Sequence, residues 1–184
     1  DSIRHAITKM SMLHFTSIEH YRKRVIQLGE QPDRVFCVGS LGAENIRTQI
    51  LLDKKELEQS IQFSLGEAYV IVTFHPVTLE NNTAEIQFEN LLSALDKFEE
   101  YKIIFTKSNA DTEGRSINSH IDKYTKANRD RAIGISSLGM IRYLSALKYC
   151  EMVIGNSSSG ILEAPSFHVP TVNIGDRQKG REKG

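Results

Sequence analysis

The sequence predicts an α/β protein built on a doubly wound parallel sheet, and three observations lead there. Short apolar runs alternate with helix-period segments along the 184 residues, the order that βαβ units produce. Runs such as Tyr69-Val-Ile-Val-Thr73 and Lys102-Ile-Ile-Phe-Thr106 are mostly continuous rather than alternating, as expected of strands covered on both faces. Polar loops follow several of these runs, and in open parallel sheets the ligand-binding loops lie at the carboxyl ends of the strands.

Taken in order, Ile3, Ala6, Ile7 and Met10 are spaced as one face of a helix, which runs into a short strand at Leu13–Thr16. Residues 18–28 read as an amphipathic helix with Gly29 as its C-cap and Pro32 just beyond. Val35–Val38 reads as a short buried strand ending in Gly39. A helical stretch is expected over 42–64, then the strand Tyr69–Thr73. Residues 83–98 are expected as a helix, 102–106 as a strand, and 113–127 as a helix with a more polar surface. A helix over 138–149, a strand over 152–154 and a last strand over 171–174 complete the pattern. No internal repeat or low-complexity segment interrupts it.

Composition narrows the function classes. Lys+Arg and Asp+Glu both number 23, so no overall field favours nucleic acid or an acidic membrane. Cys37 and Cys150 form no CxxC pair and sit in apolar stretches, which reads as buried thiols of a cytoplasmic protein rather than a disulfide or metal pair. No signal peptide, spanning apolar run, HExxH or other metal-ligand spacing is present, and no cofactor is expected. The chain opens at Asp1-Ser-Ile-Arg4-His5, inside a helical pattern, and closes on the polar run Arg177 to Gly184; both ends suggest a fragment.

The segment Gly155-Asn-Ser-Ser-Ser-Gly160 carries the strongest chemical signal. It places small polar residues between an apolar strand and a helix start, where main-chain N–H groups lack partners and suit phosphate. Ser157, Ser158 and Ser159 add hydroxyls, and Glu163, about one turn on, offers a carboxylate to neighbouring sugar hydroxyls. A serine-capped helix packing on the sheet is the alternative. His75, followed by Pro76, lies just past a buried strand, where an imidazole can donate to a phosphate or move a proton; a structural loop histidine is the competing reading. Arg177 follows the last strand and is placed for an anion. Asn109 opens an Asn-Ala-Asp run that would also serve as an Asx turn. Asp1 and Arg4 on the first helix would by themselves form only a surface ion pair. Leu138-Gly139-Met140 could wall a base, or Met140 could be core.

With these residues in view, the chain resembles the hydrolysing UDP-N-acetylglucosamine 2-epimerases of the sialic-acid pathway. The resemblance rests on Asp1-Ser-Ile-Arg-His-Ala-Ile-Thr-Lys9, Thr73-Phe-His-Pro-Val-Thr78, Ile154-Gly-Asn-Ser-Ser-Ser-Gly160 and Asn173-Ile-Gly-Asp-Arg-Gln178. Non-hydrolysing epimerases look different around the serine loop and lack the Gly-Asp-Arg-Gln-Lys-Gly-Arg ending. The resemblance implies a GT-B-type fold of two Rossmann-like domains: residues 1–36 as the last βα portion of the first, and 37–184 as a truncated, UDP-binding second. It implies loss of UDP from UDP-N-acetylglucosamine through a 2-acetamidoglucal, then addition of water to give N-acetylmannosamine, with no metal. By the same resemblance Ser157 and Ser158 hold the diphosphate, Glu163 the ribose, and His75 the phosphate or leaving oxygen. Arg4 supports the diphosphate, while Asn109 and Arg177 lie on the nucleotide side. The segment Ser137–Met140 falls at the uracil slot. Asp1 resembles one member of an acidic pair, and the family's other acidic catalytic residues lie upstream of it. UDP and UDP-N-acetylglucosamine are the expected partners, with no nucleic acid or membrane, and a homo-oligomer is expected on general grounds. A non-hydrolysing epimerase, a GT-B transferase and a silent nucleotide-sugar-binding module are the alternatives.

Overall fold

The computed structural model describes residues 2–76, 83–108 and 112–181. The chain divides into two compact units, residues 1–48 and 49–184.

In the first unit, helix α1 (Ser2–Met10) leads to strand β1 (His14–Thr16), helix α2 (Glu19–Gln27), strand β2 (Val35–Cys37) and helix α3 (Leu41–Thr48). β1 and β2 pair in parallel, His14 opposite Val35, with α2 as the crossover that parallel pairing requires. Glu30 accepts from Lys9 Nζ at 2.6 Å and bonds His14 Nε2 at 3.1 Å, tying α1 and β1 to the turn after α2. Cys37 is exposed: among the described residues the unit holds two strands, which leaves one of the two expected buried thiols at the surface. The division that the resemblance implies, after residue 36, falls inside β2; the compact units part after Thr48.

The second unit is a five-stranded parallel sheet in the order β5-β4-β3-β6-β7. Its strands are β3 (Tyr69–Thr73), β4 (Lys102–Thr106), β5 (Ala132–Ile135), β6 (Met152–Gly155) and β7 (Thr171–Asn173). Between them run α5 (Ala84–Leu95), α6 (Thr112–Ala127), α7 (Gly139–Tyr149) and the four-residue α8 (Ser159–Leu162), with α4 (Lys54–Ile61) ahead of β3. The chain steps outward from β3 to β5, returns to the far side of β3, and steps outward again through β7. This is the doubly wound α/β class that the sequence predicts.

β3 is buried along its whole length, so both faces are apolar. Val70, Val72 and Phe74 meet Phe88 of α5, with Ile103 and Phe105 of β4 and Ile117, Ile121 and Tyr124 of α6. Tyr69, on the opposite face, donates its hydroxyl to Ala146 O of α7 at 2.6 Å. An apolar groove of about 840 Å³ lies beside α5, with Leu91, Leu95, Met152, Ile154, Val172 and Ile174 among the residues lining it. Among the described residues no helix is long and apolar enough to cross a membrane.

Two expected elements differ. The single helix expected over 42–64 is α3 and α4 with a break between them, because Asp53 and Glu56 form a capping box that starts a new helix. The sequence pattern also shows no strand at 132–135, where β5 closes one edge of the sheet. β5 is only four residues long and contains Gly134, whose absent side chain makes room for Ile121: a Cβ there would come within 2.9 Å of Ile121 Cγ2. Brevity and an internal glycine hide such a strand from its apolar pattern.

Candidate active site

The strand order reverses between β3 and β6, and the crevice that opens at such a switch point, beyond the carboxyl ends of the strands, is where doubly wound sheets bind ligands. The loop after β3 carries His75 and the loop after β6 carries Asn156, Ser157 and Ser158. Ser108 follows β4, and Arg177 and Gln178 follow β7.

The main chain in this crevice is held closely. Gly155 has φ +135°, and a Cβ on it would stand 1.9 Å from Thr73 O, so only glycine lets β6 end against β3 here. Asn156, 2% exposed, accepts the His75 N–H on Oδ1 at 2.7 Å and donates Nδ2–H to His75 O at 2.7 Å. Its own carbonyl accepts from Arg177 Nη1 at 3.1 Å and from Gln178 Nε2 at 2.7 Å. Ser108 donates its hydroxyl to Phe74 O and lies 3.4 Å from His75 Nδ1. The loops after β3, β4, β6 and β7 are thus joined by hydrogen bonds at one sheet edge.

The serine loop is braced from its own side. Ser157 Oγ accepts the Ser159 N–H at 3.3 Å, while Ser158 makes no capping bond from its side chain. Tyr143 of α7 donates to Ser159 Oγ at 2.6 Å. Burial pushes the Tyr143 phenol up to about 12; the Ser159 bond opposes the rise and the Glu163 charge adds to it. α8 is four residues long and Glu163 stands at its C-cap, so the helix over this stretch is shorter than the sequence suggests. A macrodipole accumulates over successive turns; anion binding here would draw instead on main-chain N–H groups, hydroxyls and Arg177. Burial, and next the like charge of Arg181, lower the Arg177 pKa from its usual value; a bound anion opposes both effects.

The other sequence-derived positions fall elsewhere. Arg4 lies exposed in the first turn of α1, in the 1–48 unit. Asp1 and Asn109 lie outside the described residues. At the expected base slot, Gly139 takes φ +64° and donates its N–H to Ser137 Oγ at 3.3 Å, with Leu138 buried and Met140 45% exposed. Asn156 and Gln178 appear in the quoted motifs, but the sequence alone gives them no role; Asn156, between a glycine required by close approach and a run of serines, is the one whose spacing could have signalled it. Gln178 is 2% exposed, and its Oε1 has no hydrogen-bond partner among the described residues.

A parallel, doubly wound α/β domain with polar loops from both sides of its switch point tied together has its candidate site where this class of sheet binds ligands. The chain belongs to the UDP-N-acetylglucosamine 2-epimerase family, whose model matches residues 1–184. It is 46% identical over 181 residues to the GDP/UDP-N,N'-diacetylbacillosamine 2-epimerase (hydrolyzing) of Campylobacter jejuni, covering 98% of this chain and 47% of the relative. It is 49% identical over 183 residues to polysialic acid biosynthesis protein P7 of Escherichia coli, covering 99% and 46%. The S. aureus MnaA structure determined with UDP superposes with a TM-score of 0.67 at 16% identity, covering 95% of this chain and 47% of that one. The chain therefore spans about half the length of these relatives. Its fold is one doubly wound half of the GT-B-type architecture together with a piece of the other half.

Proposed function

We propose that this chain carries the nucleotide side of a hydrolysing UDP-N-acetylglucosamine 2-epimerase, which converts UDP-N-acetylglucosamine and water to N-acetylmannosamine and UDP. The observation that carries the reading is the joining of the His75, serine and Arg177 loops through Asn156 at the switch-point crevice. Ser157 and Ser158 hold the diphosphate and Arg177 offsets its charge. Glu163 accepts from the ribose hydroxyls, and Asn109 lies on the nucleotide side. His75 donates to the phosphate or to the leaving oxygen, where negative charge grows as the C1–O bond breaks. Arg4 supports the diphosphate.

In the first step a base takes the C2 proton, the electron pair forms the C1–C2 double bond, and UDP leaves with the C1–O electrons. In the second, water supplies hydroxyl to C1 and a proton reaches C2 from the opposite face. By family resemblance the acid and base lie upstream, with Asp1 beside them, so residues 1–184 alone are expected to bind UDP without turnover. The hydrolysing relative named for a diacetylbacillosamine nucleotide supports a second 2-acetamido substrate, UDP-N,N'-diacetylbacillosamine, tested in parallel.

The test incubates the full-length protein with each UDP-sugar in D₂O and follows proton NMR. Free UDP with the C2 epimer deuterated at C2 is the expected result. An intact epimerised UDP-sugar would assign a non-hydrolysing enzyme. Binding with no conversion of either sugar would leave a binding module.

A further inference from the structure

We infer that Asn156 is a positioning residue that fixes His75 for the reaction proposed above, by continuing the β3–β6 pairing one residue past the point where the two chains part.

The ladder between β3 and β6 ends with Thr73 opposite Gly155, and the last main-chain bond runs from Asn156 N to Thr73 O at 3.0 Å. The chain then leaves β3 towards α5, which packs on the Val70–Val72–Phe74 face. It leaves β6 towards α8, whose Gly160 abuts Thr171. Thr171 pairs with Val153 and Val153 with Ile71, so α8 lies on the opposite face. At a split of this kind the next N–H and C=O of β3 lose their ladder partners, and a buried unpaired main-chain group is costly. Both groups belong to His75, and the side-chain amide of Asn156 satisfies both, each at 2.7 Å. It acts as a substitute peptide group, presenting one acceptor and one donor in a fixed plane.

That pair of bonds holds the backbone from which the imidazole projects. Asn156 is 2% exposed, so water cannot readily replace the amide. An amide offers both functions at this reach without any change of protonation. Ionised aspartate keeps the shape but sets an acceptor against His75 O. The bonds from Arg177 and Gln178 go to the main-chain carbonyl of Asn156 and survive any change of its side chain. The side chain therefore acts through His75, and the carbonyl serves the β7 loop.

This inference rests on the His75 role proposed above, and a double-mutant cycle tests the two separately. UDP affinity by calorimetry and kcat are measured on the full-length protein, Asn156→Asp, His75→Ala and the double variant, with circular dichroism as a check on folding. Asn156→Asp is expected to reduce kcat, UDP affinity or both by about 10- to 100-fold. In the His75→Ala background the same change is expected to cost less than about threefold, since coupled residues are non-additive. Combined with Arg177→Ala, its effect is expected to multiply in full.

An equal loss in both His75 backgrounds, or no loss in the parent, would overturn the inference. If His75→Ala alters neither quantity, the His75 assignment itself fails and the inference with it. Asn156→Ser, which can reach at most one of the two His75 groups, serves the same cycle if the aspartate variant does not fold.

Discussion

Glu163 sits half-buried at the end of α8, where its N–H goes to Ser159 O at 2.9 Å and its charge is felt by Tyr143. A carboxylate that accepts from two ribose hydroxyls contributes through charge-assisted hydrogen bonds, so Glu163→Ala is expected to weaken UDP binding by about 10- to 100-fold. Titration calorimetry reads this directly, and unchanged affinity would remove the ribose role. Gly155 is required for a different reason. Its φ of +135°, and the 1.9 Å that would separate a Cβ from Thr73 O, tie this glycine to chain geometry, not to flexibility. The motif that stands out in the sequence thus mixes a packing glycine, a bracing asparagine and a serine, Ser157, whose hydroxyl accepts the Ser159 N–H.

Among the elements, α5 depends on a residue from outside it. Arg131, just before β5, donates to Leu95 O at 2.6 Å, Phe98 O at 2.8 Å and Tyr101 O at 3.3 Å, and to the Tyr124 hydroxyl at 2.9 Å. Of these carbonyls Leu95 O belongs to the last turn of α5, and it also accepts the Phe98 N–H at 3.1 Å. Arg131→Met, which keeps the aliphatic bulk, is expected to destabilise the fold by about 2 kcal/mol, lowering Tm by about 4–8 °C. A shift under about 1 °C would mean that water satisfies the carbonyls equally well. Periodicity made β3, β4, β6 and the long helices legible because each carries a run of apolar residues. It did not reveal β5, where a four-residue strand is shaped around Ile121 through Gly134, nor the capping box at Asp53 and Glu56. The loops of the candidate site stood out in the sequence because small polar residues, His75 and Arg177 directly follow apolar runs. Their linkage through Asn156 was not, because the partners lie far apart in sequence and meet only when the sheet forms.

For the molecule as a whole, buried acidic protons govern behaviour at high pH. Burial raises the phenols of Tyr69, Tyr124 and Tyr143 and the Cys150 thiol, the last three up to about 12. A raised folded-state pKa means that the folded protein keeps protons which the unfolded chain has released. The associated stability is complete below the ordinary values, 10 for tyrosine and 9 for cysteine, and is lost as pH rises towards 12. Tm is expected to be level from about pH 7 to 8.5 and to fall steeply above about pH 10. A level Tm up to about pH 11.5 would show that these protons are not retained. The placement of the two thiols has a practical corollary. Cys37 is exposed in the 1–48 unit and Cys150 is buried in the 49–184 unit, and alkylating reagents attack the thiolate. At about pH 8 a maleimide dye is expected to take one site per chain rapidly, at Cys37, as counted by intact mass; rapid uptake of two would contradict the burial of Cys150. Residues 1–184 thus carry one exposed thiol as an attachment point for a fluorophore, and slow capture of the buried one becomes a clock for the opening of the 49–184 unit.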